Sequence, residues 1–211
     1  RIIYKKKEAN TALKNVVLFV NDKFDIHHLR KHVTSNEFKF ISDLIKNEDK
    51  KSKFLIFRIS SKKTIFLISA KKDLKNFEYE NLGAQFFDKI KNTKLKNYII
   101  NTETLNYRLK NSLGYFLHGI KLKSYTFNKY KTKKENYDIS IYVVGNNIPS
   151  IKDQIKFKAI EAGAFYTRDL VSEPGNILHP DEYARRLNSL KKDGLKVKIY
   201  DEKKLKNLGM N

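Results

Sequence analysis

Two short apolar runs, KFLIFRI (53–59) and TIFLISA (64–70), are joined by only four residues, SSKK. Each has the length and β-branched content of a strand. Four residues cannot carry a chain across a sheet to return parallel, since such a crossover needs a dozen or more. The pair is therefore expected to be an antiparallel hairpin, and any sheet built around it carries at least one antiparallel strand. Beyond the hairpin the chain alternates between helical and strand periodicity. Tyr79, Leu82, Phe86 and Ile90 share one helical face, and LKNYII (95–100) reads as a strand. Leu105, Leu109, Leu113 and Phe116 align along a second helix, opened by the capping pattern at Thr102 or Thr104, and DISIYVV (138–144) is the next strand. Upstream, VVLFV (16–20) reads as a buried strand and Phe38, Ile41, Leu44 and Ile45 as a helix ending near Asn47. The expected fold class is α/β, a mixed β-sheet flanked by helices, closing near Gly145.

GNNIPS (145–150) concentrates turn-formers and marks the boundary of that domain. Ile155, Ala159, Ala162 and Tyr166 then recur at helical spacing, predicting a linker helix over 151–171. Pro174 and Gly175 suit the central positions of a type II turn, since proline fixes the first φ and glycine supplies a positive second one. Pro180 is placed to start a helix, with Asp181 and Glu182 at its positive end and Tyr183, Leu187 and Leu190 as its stripe. LKVKIYD (195–201) alternates as a strand and EKKLKNLG begins another helix. One strand and two short helices cannot cover each other's apolar faces. Residues 172–211 are thus expected to be the truncated start of a second α/β unit, after an amino-terminal domain over 1–150 and the linker.

Cysteine is absent, which removes disulfides, thiolate metal sites and cysteine nucleophiles and points to a reducing compartment, read here as the cytoplasm. The opening RIIYKKKEAN has no long apolar stretch behind it, so neither a secretory leader nor a membrane partner is expected. Net charge is +21, and residues 151–211 hold 13 Lys+Arg against 9 Asp+Glu, leaving 31 and 14, a net of +17, to residues 1–150. Such a field attracts nucleic acid, although a lysine- and asparagine-rich composition arises equally from base composition of the gene, and lysine lacks the bidentate fork that favours arginine at guanine and phosphate.

Few residues offer chemistry. HHLRKH puts His28 and His32 four apart, as helical zinc ligands would be, but without the glutamate of HExxH or a third ligand; an exposed basic helix accounts for them. His118 and His179 are isolated and read as helix-surface or capping residues. Asp169 and Glu173 flank a helix end with Arg168 as an obvious partner, which favours a structural role. KLKSYTFNKYKTKK (121–134) interleaves Lys121, Lys123, Lys129, Lys131, Lys133 and Lys134 with Tyr125, Phe127 and Tyr130 and contains no acid. That is the composition of a surface that tracks phosphates and stacks on bases, and equally of a strand whose aromatics are core and whose lysines are solvated.

FYTRDLVSEPGNILHPDEYARRL (165–187) resembles the entry to the catalytic domain of the M17 leucyl aminopeptidases, which typically reads ARDLVNEPGN before a proline-started helix. LKVKIYDEKKLKNLGM (195–210) is similar to that family's next strand and helix, and SYTFNKYKTKKE (124–135) to a stretch late in its amino-terminal domain. The resemblance implies a variable amino-terminal α/β domain, a linker helix, and a hexameric peptidase that removes amino-terminal residues from peptides with two divalent metals, manganese or zinc. It also implies that the metal ligands lie around an NTDAEGR signature that this chain lacks, so no cofactor is expected in the chain itself. Some members of the family bind DNA as accessory factors, which keeps DNA as a partner through the lysines above.

Overall fold

The computed structural model describes residues 1–6, 15–49, 52–71, 73–105 and 111–210. Its sheet has six strands: β1 (Ile2–Lys5), β2 (Asn15–Val20), β3 (Phe54–Arg58), β4 (Thr64–Ser69), β5 (Asn97–Asn101) and β6 (Ser140–Val144), in the order β1-β6-β5-β2-β4-β3. β3 pairs antiparallel with β4, Phe54 opposite Ile68 and Arg58 opposite Thr64, as the four-residue link requires. The other neighbouring pairs are parallel. β1 is an element that sequence reasoning missed, being four residues of half-buried chain at the sheet edge.

The helices divide between the two faces. α1 (Ser35–Ile45) and a short 3-10 helix (His27–Lys31) cover one, while α2 (Asn76–Ile90) and α3 (Ser112–Lys123) cover the other. β2 explains why a parallel strand reads as a continuous apolar run. Val17 and Phe19 enter the core under α2 and α3, Val16, Leu18 and Val20 the core under α1, so no position is left for a polar residue. β4 repeats the division with Phe66 and Ile68 against Ile65 and Leu67. At the edge the covering fails on one side, and Ile56 of β3 is 47% exposed.

α1 is opened by Thr34, whose hydroxyl accepts from the Glu37 N–H at 3.3 Å while the Glu37 carboxylate accepts from the Thr34 N–H at 3.0 Å. Glu37 also holds Lys63 at 2.7 Å. Burial alone would raise the Glu37 carboxyl, but the Lys63 ammonium and the Thr34 N–H outweigh it and hold it below the usual range. We expect Thr34→Ala to cost about 1 kcal/mol in urea denaturation, the usual loss for an N-cap; no change in midpoint would mean the reciprocal cap contributes nothing.

The helix expected from Thr102 onward starts later. Thr102–Thr104 is a 3-10 turn, α3 begins at Ser112, and Leu109 lies outside the described residues. Both threonines are committed elsewhere. The Thr104 hydroxyl donates to the Asn101 carbonyl and accepts the Phe19 N–H, and Thr102 accepts the Asn147 N–H. Leu113 and Phe116 are buried on α3 as expected.

By compactness the chain divides into two units, Arg1–Ala162 and Gly163–Asn211, the division falling within α4 (Ile151–Ser172). The stripe expected on α4 is not the packed one in the first unit: Ile155 is 64% exposed and Ala159 and Ala162 are exposed, while Phe157 is buried. Phe157 lies where a side chain at Gly114 would stand, with its ring edge-on to Tyr115 and 5.1 Å from His118. Glycine at 114 makes that seat, and a count of apolar spacing on α4 alone cannot register it.

The second unit contains α5 (Pro180–Ser189) and α6 (Glu202–Asn207). Pro180 opens α5 as expected, and Asp201 caps α6 through the Lys204 N–H at 2.8 Å. Two expectations are corrected. Residues 195–201 form no strand, because no described neighbour offers them a ladder. The turn at 174 is shifted by one: the Pro174 carbonyl accepts from Ile177 N–H at 2.9 Å, placing Gly175 and Asn176 at the centre, and Gly175 does not take a positive φ.

Candidate functional site

β2 and β5 are neighbours whose outgoing connections lead to helices on opposite faces, α1 after β2 and α3 after β5. In an open parallel sheet such a reversal leaves a crevice beyond the carboxyl ends of the strands, where ligands commonly bind. Among the described residues, side chains of the chain itself bridge these strand ends. After β2, Asn21 accepts the N–H groups of Lys23 and Asp25, and Phe24 takes φ 54°. This turn delivers the 3-10 helix, whose His28 Nε2 lies 3.1 Å from the Phe19 carbonyl. The Asn101 amide, at the end of β5, donates to His32 Nδ1 at 3.0 Å, and Asn101 Oδ1 accepts the Glu103 N–H. Glu103 then accepts the Asn146 N–H at 2.6 Å just after β6.

HHLRKH takes a geometry different from that of a helical ligand pair. A 3-10 helix has about three residues per turn, so positions four apart do not stack as zinc ligands would. His28 and His32 each face a different protein atom. Burial and the neighbouring His28 lower the His32 pKa, against a smaller opposing effect of Glu103. Among the described residues no group of three or more His, Cys, Asp or Glu is placed to hold a metal ion. Sequence reasoning missed Asn101 and Glu103, whose role rests on partners 69 and 43 residues away.

The other acidic and histidine candidates lie apart from this cluster in sequence, on or next to α3, α4 and α5. His118 is not on a helix surface: it is 5% exposed, with Nδ1 3.1 Å from Glu161. Burial raises the Glu161 carboxyl, with His118 pulling the other way. His179 is the N-cap residue of α5, without a side-chain capping bond. Glu173 pairs with Arg186 of α5 at 3.0 Å, and Glu182 with Arg185 at 2.6 Å and Arg186 at 2.8 Å. Hydrogen bonds from Arg185 and then Arg186 hold the Glu182 carboxyl down, to about 2. A depressed carboxyl stabilises above its unfolded value of about 4.3 and loses that contribution as pH falls through its folded value. Carboxyl NMR shifts should place the Glu182 midpoint near 2, with α5 losing exchange protection as pH falls below about 4; a midpoint near 4 would mean the pair is not formed in solution.

The lysine-rich segment is not a strand. Lys121 and Lys123 end α3, and the rest forms a loop clasped by Asn128, whose amide donates to the Glu135 carbonyl at 2.7 Å while its Oδ1 accepts the Glu135 N–H at 3.1 Å. Lys123 pairs with Asp88 at 3.2 Å and Lys131 with Glu135 at 2.9 Å. Lys129, Lys133 and Lys134 are exposed, and the Lys129 ammonium lies 5.5 Å from the Tyr130 ring. Tyr125 and Phe127 are half-buried, leaving Tyr130, 51% exposed, as the ring presented at the tip. Among the described residues no helix is long and apolar enough to cross a membrane.

The described elements are thus a mixed α/β sheet unit and a small helical unit, with α4 contributing to both. No protein-family model matches the chain. Over 132 residues, 58% of the chain, it is 31% identical to the "Probable cytosol aminopeptidase" of Clostridium perfringens (strain 13 / Type A), covering 27% of that protein. A second "Probable cytosol aminopeptidase", from Agrobacterium fabrum (strain C58 / ATCC 33970), is 38% identical over 104 residues, 46% of the chain and 21% of the relative. A mutant of tomato leucine aminopeptidase shares the fold over 99% of the chain and 46% of its own, with TM-score 0.74 at 18% identity. The cytosol aminopeptidase of Coxiella burnetii does so over 98% and 41%, with TM-score 0.67 at 15% identity. In sequence and fold the chain matches the amino-terminal region of the M17 cytosol or leucyl aminopeptidases. It spans less than half the length of each of these relatives.

Proposed function

We propose that this chain is the amino-terminal, non-catalytic part of a cytoplasmic M17-type leucyl aminopeptidase, made of a sheet domain over 1–150, a linker over 151–171 and the start of the catalytic domain over 172–211. The observation that carries this reading is the agreement of sequence with cytosol aminopeptidases and of fold along almost the whole chain. Its role is assembly, as part of a homo-hexamer that acts on peptide amino termini. One related structure, the bottromycin maturation enzyme BotP, is described in complex with Mn. The two metals of the reaction, manganese or zinc, would polarise the scissile carbonyl and supply hydroxide. The described residues do not fit such a pair, since they bring together no group of three or more His, Asp or Glu, and His28, His32, Glu103, Glu173 and Glu182 are each bonded within the protein. No step of the reaction is assigned to them. Sedimentation velocity on the purified chain should show a discrete oligomer that persists on dilution; a monomer at every concentration would remove the assembly role.

A second reading, a basic accessory module that binds DNA, is favoured by the exposed Lys129, Lys133 and Lys134 and the exposed Tyr130 ring in one loop. Affinity carried by such lysines falls by about 0.9 log units per phosphate contact per log unit of salt. Retention of duplex DNA at physiological salt, reduced by Lys133→Ala with Lys134→Ala, would support this reading; no retention there would remove it.

A further inference from the structure

β3 ends the sheet, so one of its edges pairs with β4 and the other faces away from every described strand. The ladder decides which groups lie on that outer edge. In an antiparallel pair, successive residues alternate between directing both backbone groups at the neighbour and directing both away. The Ser69 N–H donates to the Lys53 carbonyl at 2.9 Å and the Ile59 N–H to the Lys63 carbonyl at 3.0 Å, in the register that sets Leu55 opposite Leu67 and Phe57 opposite Ile65. Lys53, Leu55, Phe57 and Ile59 therefore direct their groups to β4, and Phe54, Ile56 and Arg58 direct theirs outward.

The outward groups differ in their partners. The Ser52 hydroxyl donates to the Phe54 carbonyl at 2.8 Å and accepts the Phe54 N–H at 3.2 Å, closing that end of the edge. The outward N–H and C=O groups of Ile56 and Arg58 have no partner among the described residues. Ile56 stands opposite Phe66, on the face that α2 and α3 cover further in, yet is 47% exposed. An open edge is a template for a further strand, and proteins commonly guard it with charge. Here the guard has one sign. Residues 53–63 hold Lys53, Arg58, Lys62 and Lys63 and no acid. Glu37 of α1 pairs with Lys63, while Lys53, Arg58 and Lys62 are exposed and carry no ion pair among the described residues. A second copy laid antiparallel about Ile56 would bring two such clusters together in a chain of net charge +21, and like charges across an interface are costly. An acidic strand meets the opposite field.

We propose that the outer edge of β3 docks a short extended acidic segment of a partner protein, which adds a strand to the sheet through the free backbone groups of Ile56 and Arg58. Main-chain bonds hold such a segment, and its side chains at alternate positions give selectivity. An apolar residue opposite covers Ile56, and carboxylates two and three residues away meet Arg58 and Lys53. The Ser52 cap keeps the docked stretch short. The proposal is independent of the peptidase reading and of the DNA reading.

The test is amide hydrogen exchange and NMR titration of the full chain with a peptide of blocked ends: a central valine, a threonine on either side, and two glutamates at each end. With the valine opposite Ile56, glutamates stand opposite Arg58 and Lys53 in either strand direction. In the free chain the Ile56 and Arg58 N–H groups should exchange quickly while those of Leu55 and Phe57 are protected. Saturating peptide should slow Ile56 and Arg58 about tenfold or more. The same peptide with lysine for glutamate should bind about tenfold weaker, and one N-methylated at its three central residues should give no protection. Arg58→Glu, at an exposed position, should weaken the acidic peptide about tenfold. Ile56→Pro keeps the ladder to β4, because that N–H faces outward, and should abolish protection at Arg58 while Leu55 and Phe57 stay protected. Equal binding of the N-methylated peptide, of the lysine peptide or by Arg58→Glu would overturn the proposal. So would protection of Ile56 and Arg58 without peptide in a dimer, which would assign the edge to a second copy.

Discussion

Gly119→Ala should destabilise the sheet domain by about 3 kcal/mol, the upper part of the usual range for overpacking a close contact. α2 and α3 meet through two glycines placed reciprocally. A Cβ at Gly119 would fall well inside van der Waals distance of the Glu80 carbonyl oxygen on α2, and one at Gly83 would do the same to the Phe116 carbonyl oxygen on α3. In both cases the obstacle is backbone, which cannot rotate away, so the helices must separate and uncover Leu82, Phe86 and Leu117. Gly163, inside α4, is the control, since nothing lies within 4 Å of its added carbon. Gly163→Ala removes a flexible residue from a helix and should strengthen it by about 0.5–1 kcal/mol. Urea denaturation reads the first effect and hydrogen exchange along α4 the second. If Gly119→Ala is neutral, the two helices are not in contact as described.

Phe86→Ala should cost about 3–5 kcal/mol, the range for deleting a buried aromatic ring. Phe86 is fully buried, and its ring centre lies 5.8 Å from Phe66, 6.0 Å from Tyr98 and 5.8 Å from Phe116, so one deletion removes three ring contacts as well as apolar burial. Domains of this kind are stable by about 5–15 kcal/mol, and the variant would be marginal at body temperature. Phe77, on the same helix but 58% exposed, gives the comparison: Phe77→Ala should change the midpoint little. Equal effects of the two substitutions would mean that α2 is not seated on this face.

Much of the fold was legible in the sequence because it was set by local pattern. The link SSKK forced the hairpin, and the spacing of Tyr79, Leu82, Phe86 and Ile90 gave α2 and its buried face. Where the reading failed, the deciding partner was distant in sequence. Thr102 and Thr104 have the form of a helix cap but their hydroxyls serve Asn147 and Phe19. Phe157, rather than Ile155, faces the domain because Gly114 leaves a seat for its ring. LKVKIYD alternates as a strand does, yet alternation supplies no neighbour to pair with. The candidate sites divide in the same way. The lysines of 121–134 were visible as composition, but their division between the end of α3, with Lys121 and Lys123, and a loop clasped by Asn128 was not. The M17 resemblance of 165–187 and 195–210 lay in short motifs and needed no fold to be read.

The proposed role, assembly without peptide chemistry of the chain's own, is tested most directly by a leucine anilide assay. The purified chain, its mass checked to end at Asn211, is supplied with Mn²⁺, Zn²⁺ or Mg²⁺, with a chelator control. The account predicts no release of the chromophore above buffer. Two-metal hydrolysis needs several oxygen ligands converging on ions about 3.5–4 Å apart, and the described residues bring together no such group. Chelator-sensitive turnover that co-purifies with the chain, and is lost in the His28→Ala, His32→Ala double variant, would contradict it.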